Sequence, residues 1–206
     1  RIKYFVILLI MFLANITLVF AKDDVINKID INITLDNSGN AHVEEIWDVK
    51  ANMGTEFYKG MYNLGNMKVT NFKVYENNTL FTYVDKWNID ASLDEKKNKN
   101  GINYNDDGIE LCWGISQYGN RTYTLKYNIS NLVKQYTDNQ GIYFNFLSSI
   151  KAVDSVKITI HSDEPFSLDN AKIWDFGNNG EINFKDGKIE GIIKKYYKNG
   201  KIKIES

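Results

Sequence analysis

Past residue 25 the chain alternates apolar and polar side chains with a period of two, the spacing at which successive strand residues point to opposite faces of a sheet. Ile29, Ile31, Ile33 and Leu35 alternate with Asp30, Asn32 and Thr34; the turn-forming run Asp36-Asn37-Ser38-Gly39-Asn40 follows; Ala41, Val43, Glu45, Trp47 and Val49 then resume the pattern. This predicts a β-hairpin with Gly39 at positive φ. Glu45 falls on the apolar side of that register, so either a bulge near Ile46 shifts the pairing or the carboxylate faces something polar. Further strands are predicted at Lys68 to Tyr75, Leu80 to Tyr83, Ile109 to Ile115, Arg121 to Ile129, Gly141 to Leu147 and Ser155 to His161. The clearest sets Tyr123, Leu125, Tyr127 and Ile129 against Thr122, Thr124, Lys126 and Asn128, one face apolar and the other solvated. The predicted class is all-β. Its most economical burial is an antiparallel β-sandwich of two facing sheets, jelly-roll or immunoglobulin-like, with short C-terminal β-hairpins.

Two stretches interrupt the alternation. Ala51 to Asn66 holds Gly54, Gly60 and Gly65 among Phe57, Tyr58 and Tyr62, and Asn88 to Asp107 is polar, with charges crowded between Asp94 and Asn100. Both are expected to be long loops, where binding residues commonly reside. From Gly180 the pattern shortens. Phe184-Lys185-Asp186-Gly187-Lys188-Ile189 recurs as Tyr197-Lys198-Asn199-Gly200-Lys201-Ile202, and Asp-Gly and Asn-Gly are type I′ turn pairs. These units read as edge hairpins of the main domain or as its connector.

The N-terminus follows another rule. Arg1 and Lys3 precede an apolar run from Tyr4 to Phe20, and Val19-Phe20-Ala21 places modest or small residues before Lys22. This reads as a secretory signal peptide over residues 1–21; the alternative is an uncleaved anchor, although a run of this length reaches only about 26 Å as a helix. The expected organisation is therefore a signal peptide over 1–21, a β-sandwich ectodomain over 22–178 and a hairpin extension, or edge strands of the same domain, over 179–206. A membrane tether is expected either through the N-terminal apolar segment or beyond Ser206.

Composition narrows the function. Twenty-five Lys and Arg balance 26 Asp and Glu, a net charge of -1, which gives no electrostatic basis for a nucleic-acid partner. One Cys and two His leave no multi-Cys metal site, no H-E-x-x-H and no nucleophile motif, so neither metal nor cofactor is expected. Cys112 reads as a small buried hydrophobe. Asp36 to Asn40 lacks the spacing of a calcium loop, and the N-x-S/T triplets at Asn32, Asn77, Asn120 and Asn128 follow from an Asn-rich composition. A glycan hydrolase would need a carboxylate pair about 5–9.5 Å apart across a cleft, and Glu44, Glu45 and Asp48 all lie on one strand.

The remaining signal is aromatic. Trp47 and Trp113 fall on apolar strand faces. Tyr58, Tyr62, Trp87, Tyr104 and Tyr118 lie in the expected loops or at strand ends, where flat amphipathic rings would provide platforms for a sugar or a protein partner.

The segments Gly108-Ile109-Glu110-Leu111-Cys112-Trp113-Gly114-Ile115, Tyr118-Gly119, Thr122 to Tyr127 and Asp138 to Tyr143 form a recognisable arrangement. Together with Val43-Glu44-Glu45-Ile46-Trp47 after Gly39 and Ile173-Trp174-Asp175-Phe176-Gly177, they resemble the N-terminal region of the bacterial predicted membrane proteins grouped as domain of unknown function 2207. The resemblance implies an exported β domain followed by transmembrane helices, and it carries no catalytic residues to transfer. The resulting expectation is a non-catalytic extracytoplasmic module at the cell surface, binding an envelope protein or glycan. An envelope glycan hydrolase and a structural spacer are the alternatives.

Overall fold

The computed structural model describes residues 23–137, 139–148, 152–163, 165–167, 171–176, 180–197 and 201–205. The apolar run read as a signal peptide and the Asn199-Gly200 turn lie outside them. Among the described residues no helix is long and apolar enough to cross a membrane.

The described residues are almost all-β, with a single short helix among them. In order the chain forms β1 (Val25–Leu35), β2 (Ala41–Ala51), β3 (Glu56–Tyr62), β4 (Lys68–Glu76), β5 (Thr79–Leu80), β6 (Thr82–Val84), the single-turn helix α1 (Leu93–Lys96), β7 (Lys99–Asn105), β8 (Gly108–Gly114) and β9 (Gly119–Ser130). There follow β10 (Lys134–Gln135), β11 (Gln140–Phe144), β12 (Ala152–His161), β13 (Lys172–Phe176), β14 (Gly180–Lys185), β15 (Lys188–Tyr197) and β16 (Lys201–Glu205). An eight-stranded sheet runs β14-β15-β12-β1-β2-β9-β4-β5; a second sheet runs β3-β8-β7-β6 and a third β10-β11-β16-β13. Asp186 and Gly187, both at positive φ, make the predicted turn between β14 and β15.

The predicted first hairpin forms in unbroken register from Leu35↔Ala41 to Lys28↔Asp48, so no bulge occurs at Ile46. Its turn is closed by Asp36, whose carboxylate accepts the Ser38 and Asn40 N–H groups at 2.8 and 2.9 Å. Gly39 has φ +77°, and a Cβ there would stand 3.2 Å from Val133 Cβ, so both conformation and space favour glycine. Ile29, Ile31 and Ile33 of β1, Val43 and Trp47 of β2, and Tyr123 to Ile129 of β9 bury one face of the large sheet. Against it pack Phe57 and Met61 of β3 and Ile109, Leu111 and Trp113 of β8, so the layering is sandwich-like with one continuous core. Burying about 1.5–3 kcal/mol of transfer free energy per large side chain, this core is the main source of stability.

Two features depart from the predicted antiparallel sandwich with loops at 51–66 and 88–107. First, two pairings are parallel: β1 with β12, and β6 with β7. Second, each expected loop contains a strand of the second sheet, β3 and β7. Both strands carry a polar residue on their inward face, Lys59 in β3 and Asn100 in β7, which interrupts the apolar alternation although both are fully buried. A parallel pair cannot be joined by a tight turn, so the chain between β6 and β7 must cross over a face of the sheet. That crossover is residues 85–98, including α1, and it is ordered by a capping box between Ser92 and Glu95.

Candidate functional site

The interior holds a polar cluster around Glu45, so of the two expectations for that residue, a bulge or a polar surrounding, the second is the one found. Glu45 is fully buried, and Lys59 reaches it from the opposite sheet with an Nζ–Oε1 distance of 2.7 Å. Tyr127 Oη donates to the same oxygen at 2.5 Å, and Trp47 Nε1 donates to Oε2 at 2.7 Å. Lys59 Nζ also donates to the Phe146 carbonyl at 2.5 Å. Burial, and then the Glu45 charge, hold the Tyr127 hydroxyl well above its usual range. Both charged side chains here are paired with each other and closed off from solvent, which is the condition for tolerating an ion pair in a core.

The other carboxylates of that strand point outward. Glu44 pairs with Lys126 at 2.6 Å, and Asp48 accepts from Thr122 at 2.7 Å. Glu44 and Asp48 therefore occupy the solvated face of the large sheet, while Glu45 lies between the layers.

The second sheet turns Glu56, Tyr58, Gly60 and Tyr62 of β3 outward, in rows with Cys112 and Glu110 of β8. The crossover covers one end of this face. Trp87 is buried there with Nε1 donating to Glu56 Oε2 at 2.6 Å, and Lys96, 3% exposed, pairs with the same Glu56 oxygen at 2.9 Å and donates to Thr55 Oγ1. Gly101 and Gly114 make room for the crossover: a Cβ on Gly114 would stand 1.9 Å from the Lys96 carbonyl oxygen. Cys112 is sealed beneath, its thiol pushed up by burial and then by Glu56 and Glu110, so it sits as the expected small buried residue.

At the uncovered end, Tyr62 and Asn63 leave β3 beside the β7–β8 turn. Tyr62, Asn63, Asn105, Asp106 and Asp107 line an open hollow of about 580 Å³. The Asn63 N–H donates to the Asp107 carbonyl at 3.4 Å, and Asn63 itself adopts φ +57°. Glu110 is held by Asn103 at 2.8 Å with Tyr62 Oη 3.5 Å away. The hollow offers carboxylate and amide oxygens, amide N–H groups and one ring edge, a donor and acceptor set suited to a hydroxyl-rich ligand.

Of the five aromatics singled out from the sequence, Tyr62 lines this hollow, Tyr58 lies four residues along the same face, and Tyr104 adjoins Asn105 on the opposite face. Tyr58 and Tyr104 are exposed, Tyr104 by 71%. Trp87 is a correction: the crossover needed by the parallel β6–β7 pair packs it against the sheet, so it presents no platform. Tyr118 is elsewhere, half-exposed, with its hydroxyl donating to the Gly54 carbonyl at 2.9 Å.

Sequence reading missed Tyr83, exposed beside Tyr104; its hydroxyl is raised by burial, then by Tyr104 and Asp85. It also missed a second cleft, between the Asp36–Gly39 turn, β11 and the segment after β12. Its walls come from distant parts of the chain and share no local pattern.

A candidate nutrient binding protein from Legionella pneumophila subsp. pneumophila superposes with a TM-score of 0.56 at 10% identity, over 90% of this chain and 68% of that one. Yeast LTA4 hydrolase in complex with bestatin gives a TM-score of 0.54 at 9% identity, over 89% of this chain but only 29% of its own. At such identities the likeness is one of fold alone, and this chain corresponds to less than a third of the hydrolase. No curated protein sequence matches it. The family model described as the predicted membrane protein (DUF2207) N-terminal domain matches residues 25–204, nearly every strand described above, and the chain therefore belongs to that family.

Proposed function

We propose that the chain is a non-catalytic extracytoplasmic binding module of a membrane-associated surface protein, and that it takes an envelope glycan through the exposed end of the second sheet. The hollow of Tyr62, Asn63, Asn105, Asp106 and Asp107 carries the reading. Asx side chains on a tight turn present acceptors and donors at fixed spacing to sugar hydroxyls, and the Tyr62 ring beside them offers an apolar surface to the C–H side of a pyranose. Membership of a predicted membrane protein family and the N-terminal apolar run support presentation at the membrane. The partner is a glycan rather than an envelope protein because the hollow is small and lined mainly by Asx groups, without the broad apolar centre of a protein interface. Binding of purified protein to an array of defined cell-wall oligosaccharides tests this. Binding that falls at least about tenfold in Tyr62→Ala and Asp106→Ala, with unfolding midpoints unchanged, supports it. An array that stays blank for the unaltered protein sinks it and leaves a structural spacer.

A further inference from the structure

The second cleft has its own chemistry. It encloses about 560 Å³, within the roughly 300–1,000 Å³ typical of small-molecule sites. Its apolar lining is Leu35, Val133, Ile142 and Phe166, and its polar lining includes Asp36, Asp163 and the amides of Gln135 and Gln140. Among the described residues no Lys, Arg or His side chain lines it.

Its walls are tied together. The Val133 N–H donates to the Gly39 carbonyl at 3.0 Å, and the Phe166 N–H to the Gly187 carbonyl at 2.8 Å. Gln140 Nε2 donates to Gln135 Oε1 at 2.9 Å, and Gln135 Nε2 to the Asn139 carbonyl at 3.1 Å, so neither amide swings freely. Hydrogen bonds from Asn40 and Ser38 hold the Asp36 carboxyl below its usual range.

A cleft of mixed polar and apolar lining whose charges, among the described residues, are two carboxylates repels anions and gains most from a cation with an organic body. We propose that this cleft binds a small organic ammonium ion, its apolar part against Leu35, Val133, Ile142 and Phe166 and its charged end toward Asp36 and Asp163. Phe166 adds an aromatic face to that lining. The site is distinct from the Tyr62 hollow and stands whether or not that hollow takes a glycan.

The test is a matched series of probes, 2-phenylethylammonium, 2-phenylethanol and 3-phenylpropanoate, titrated into the purified protein and followed by amide NMR and calorimetry. The expected result is shifts centred on Gly39, Val133 and Gly141, with the ammonium at least about tenfold tighter than the alcohol, as one charge-assisted hydrogen bond supplies, and the carboxylate weakest. Asp163→Lys should weaken the ammonium by about tenfold or more. Val133→Trp, which fills the cleft, should abolish binding while leaving oligosaccharide binding at Tyr62 as it was. Asp163 is exposed, so its variant tests the proposal even if Val133→Trp does not fold. Equal affinity for all three probes, undiminished binding in Asp163→Lys, or no shift at millimolar ammonium would overturn the proposal.

Discussion

Two clusters in this molecule use the same three residue types for opposite ends. In each, a buried lysine meets a glutamate, at 2.7 Å for Lys59–Glu45 and 2.9 Å for Lys96–Glu56, and a tryptophan N–H donates to the same carboxylate group. The inner cluster lies between the layers with no exposed carboxylate oxygen, and it joins the large sheet to β3 and to the chain after β11. The outer one lies on the far face of the second sheet, and Glu56 keeps 18% of its side chain in water. Breaking the inner pair from one side therefore strands a charge between the layers, whereas the outer pair holds down only the crossover. Solvent access to one partner, rather than pair geometry, sets how much each break costs.

The largest predicted effect is at the inner cluster. Lys59→Met should cost about 3–5 kcal/mol in urea unfolding, because it strands the Glu45 charge. The double variant Glu45→Gln/Lys59→Met should be markedly more stable than the single, since the amide keeps an acceptor for Tyr127 or Trp47 without a charge. A double variant as unstable as the single would refute the account of an ion pair sustained only by its partner. Next comes Gly114→Ala, whose methyl meets the Lys96 carbonyl: a loss of about 2–3 kcal/mol is expected, together with faster labelling of Cys112 by a thiol reagent as the crossover lifts.

Lys96→Met should cost less, about 1–2 kcal/mol, because Glu56 retains the Trp87 N–H and some water. Its signature is again accelerated Cys112 labelling. If Lys96→Met matched Lys59→Met in stability and left labelling unchanged, the contrast between the clusters would be wrong.

Alkaline pH sharpens the same contrast. The Tyr127 hydroxyl is held above its ordinary value of 10.0, so its contribution to stability is full below about pH 10 and is lost as pH rises through the folded-state value. Tyr123, pushed up to about 12 mainly by burial, adds to the loss over pH 10–12. Ultraviolet titration should show these two hydroxyls ionising above pH 10, together with unfolding.

Much of the large sheet was legible because its inward residues are apolar: β1, β4, β9 and β12 lie close to their predicted limits. Glu45 was legible as an anomaly that left a bulge near Ile46 or a polar partner, and the unbroken register leaves the partner. The identity of that partner was hidden for the reason that hid β3. Lys59 reads as a solvent-facing residue in the local sequence, and its burial is decided by a glutamate on the opposite layer. Asn100 hid β7 in the same way, its amide donating to the Phe72 carbonyl in the neighbouring sheet. Trp87 was misplaced because strand direction has no local signature, and only the parallel β6–β7 pairing forces the crossover that covers it. Within the candidate site Tyr62 was visible as an aromatic. The Asx turn around it was visible only as composition, and the ammonium cleft, drawn from four separate segments, left no trace in any window.

The position of β1 has a consequence for assembly. The first strand of the fold lies in the middle of the largest sheet, hydrogen-bonded on one edge to β2 and on the other, in parallel, to β12. As the ribosome extends the chain, β1 finds β2 at once but exposes its second edge until β12 has been made. A newborn chain therefore carries a long sticky border until Ala152–His161 has been made. Shielding by a chaperone, or delay of folding until the chain is released, would spare it from pairing with its neighbours.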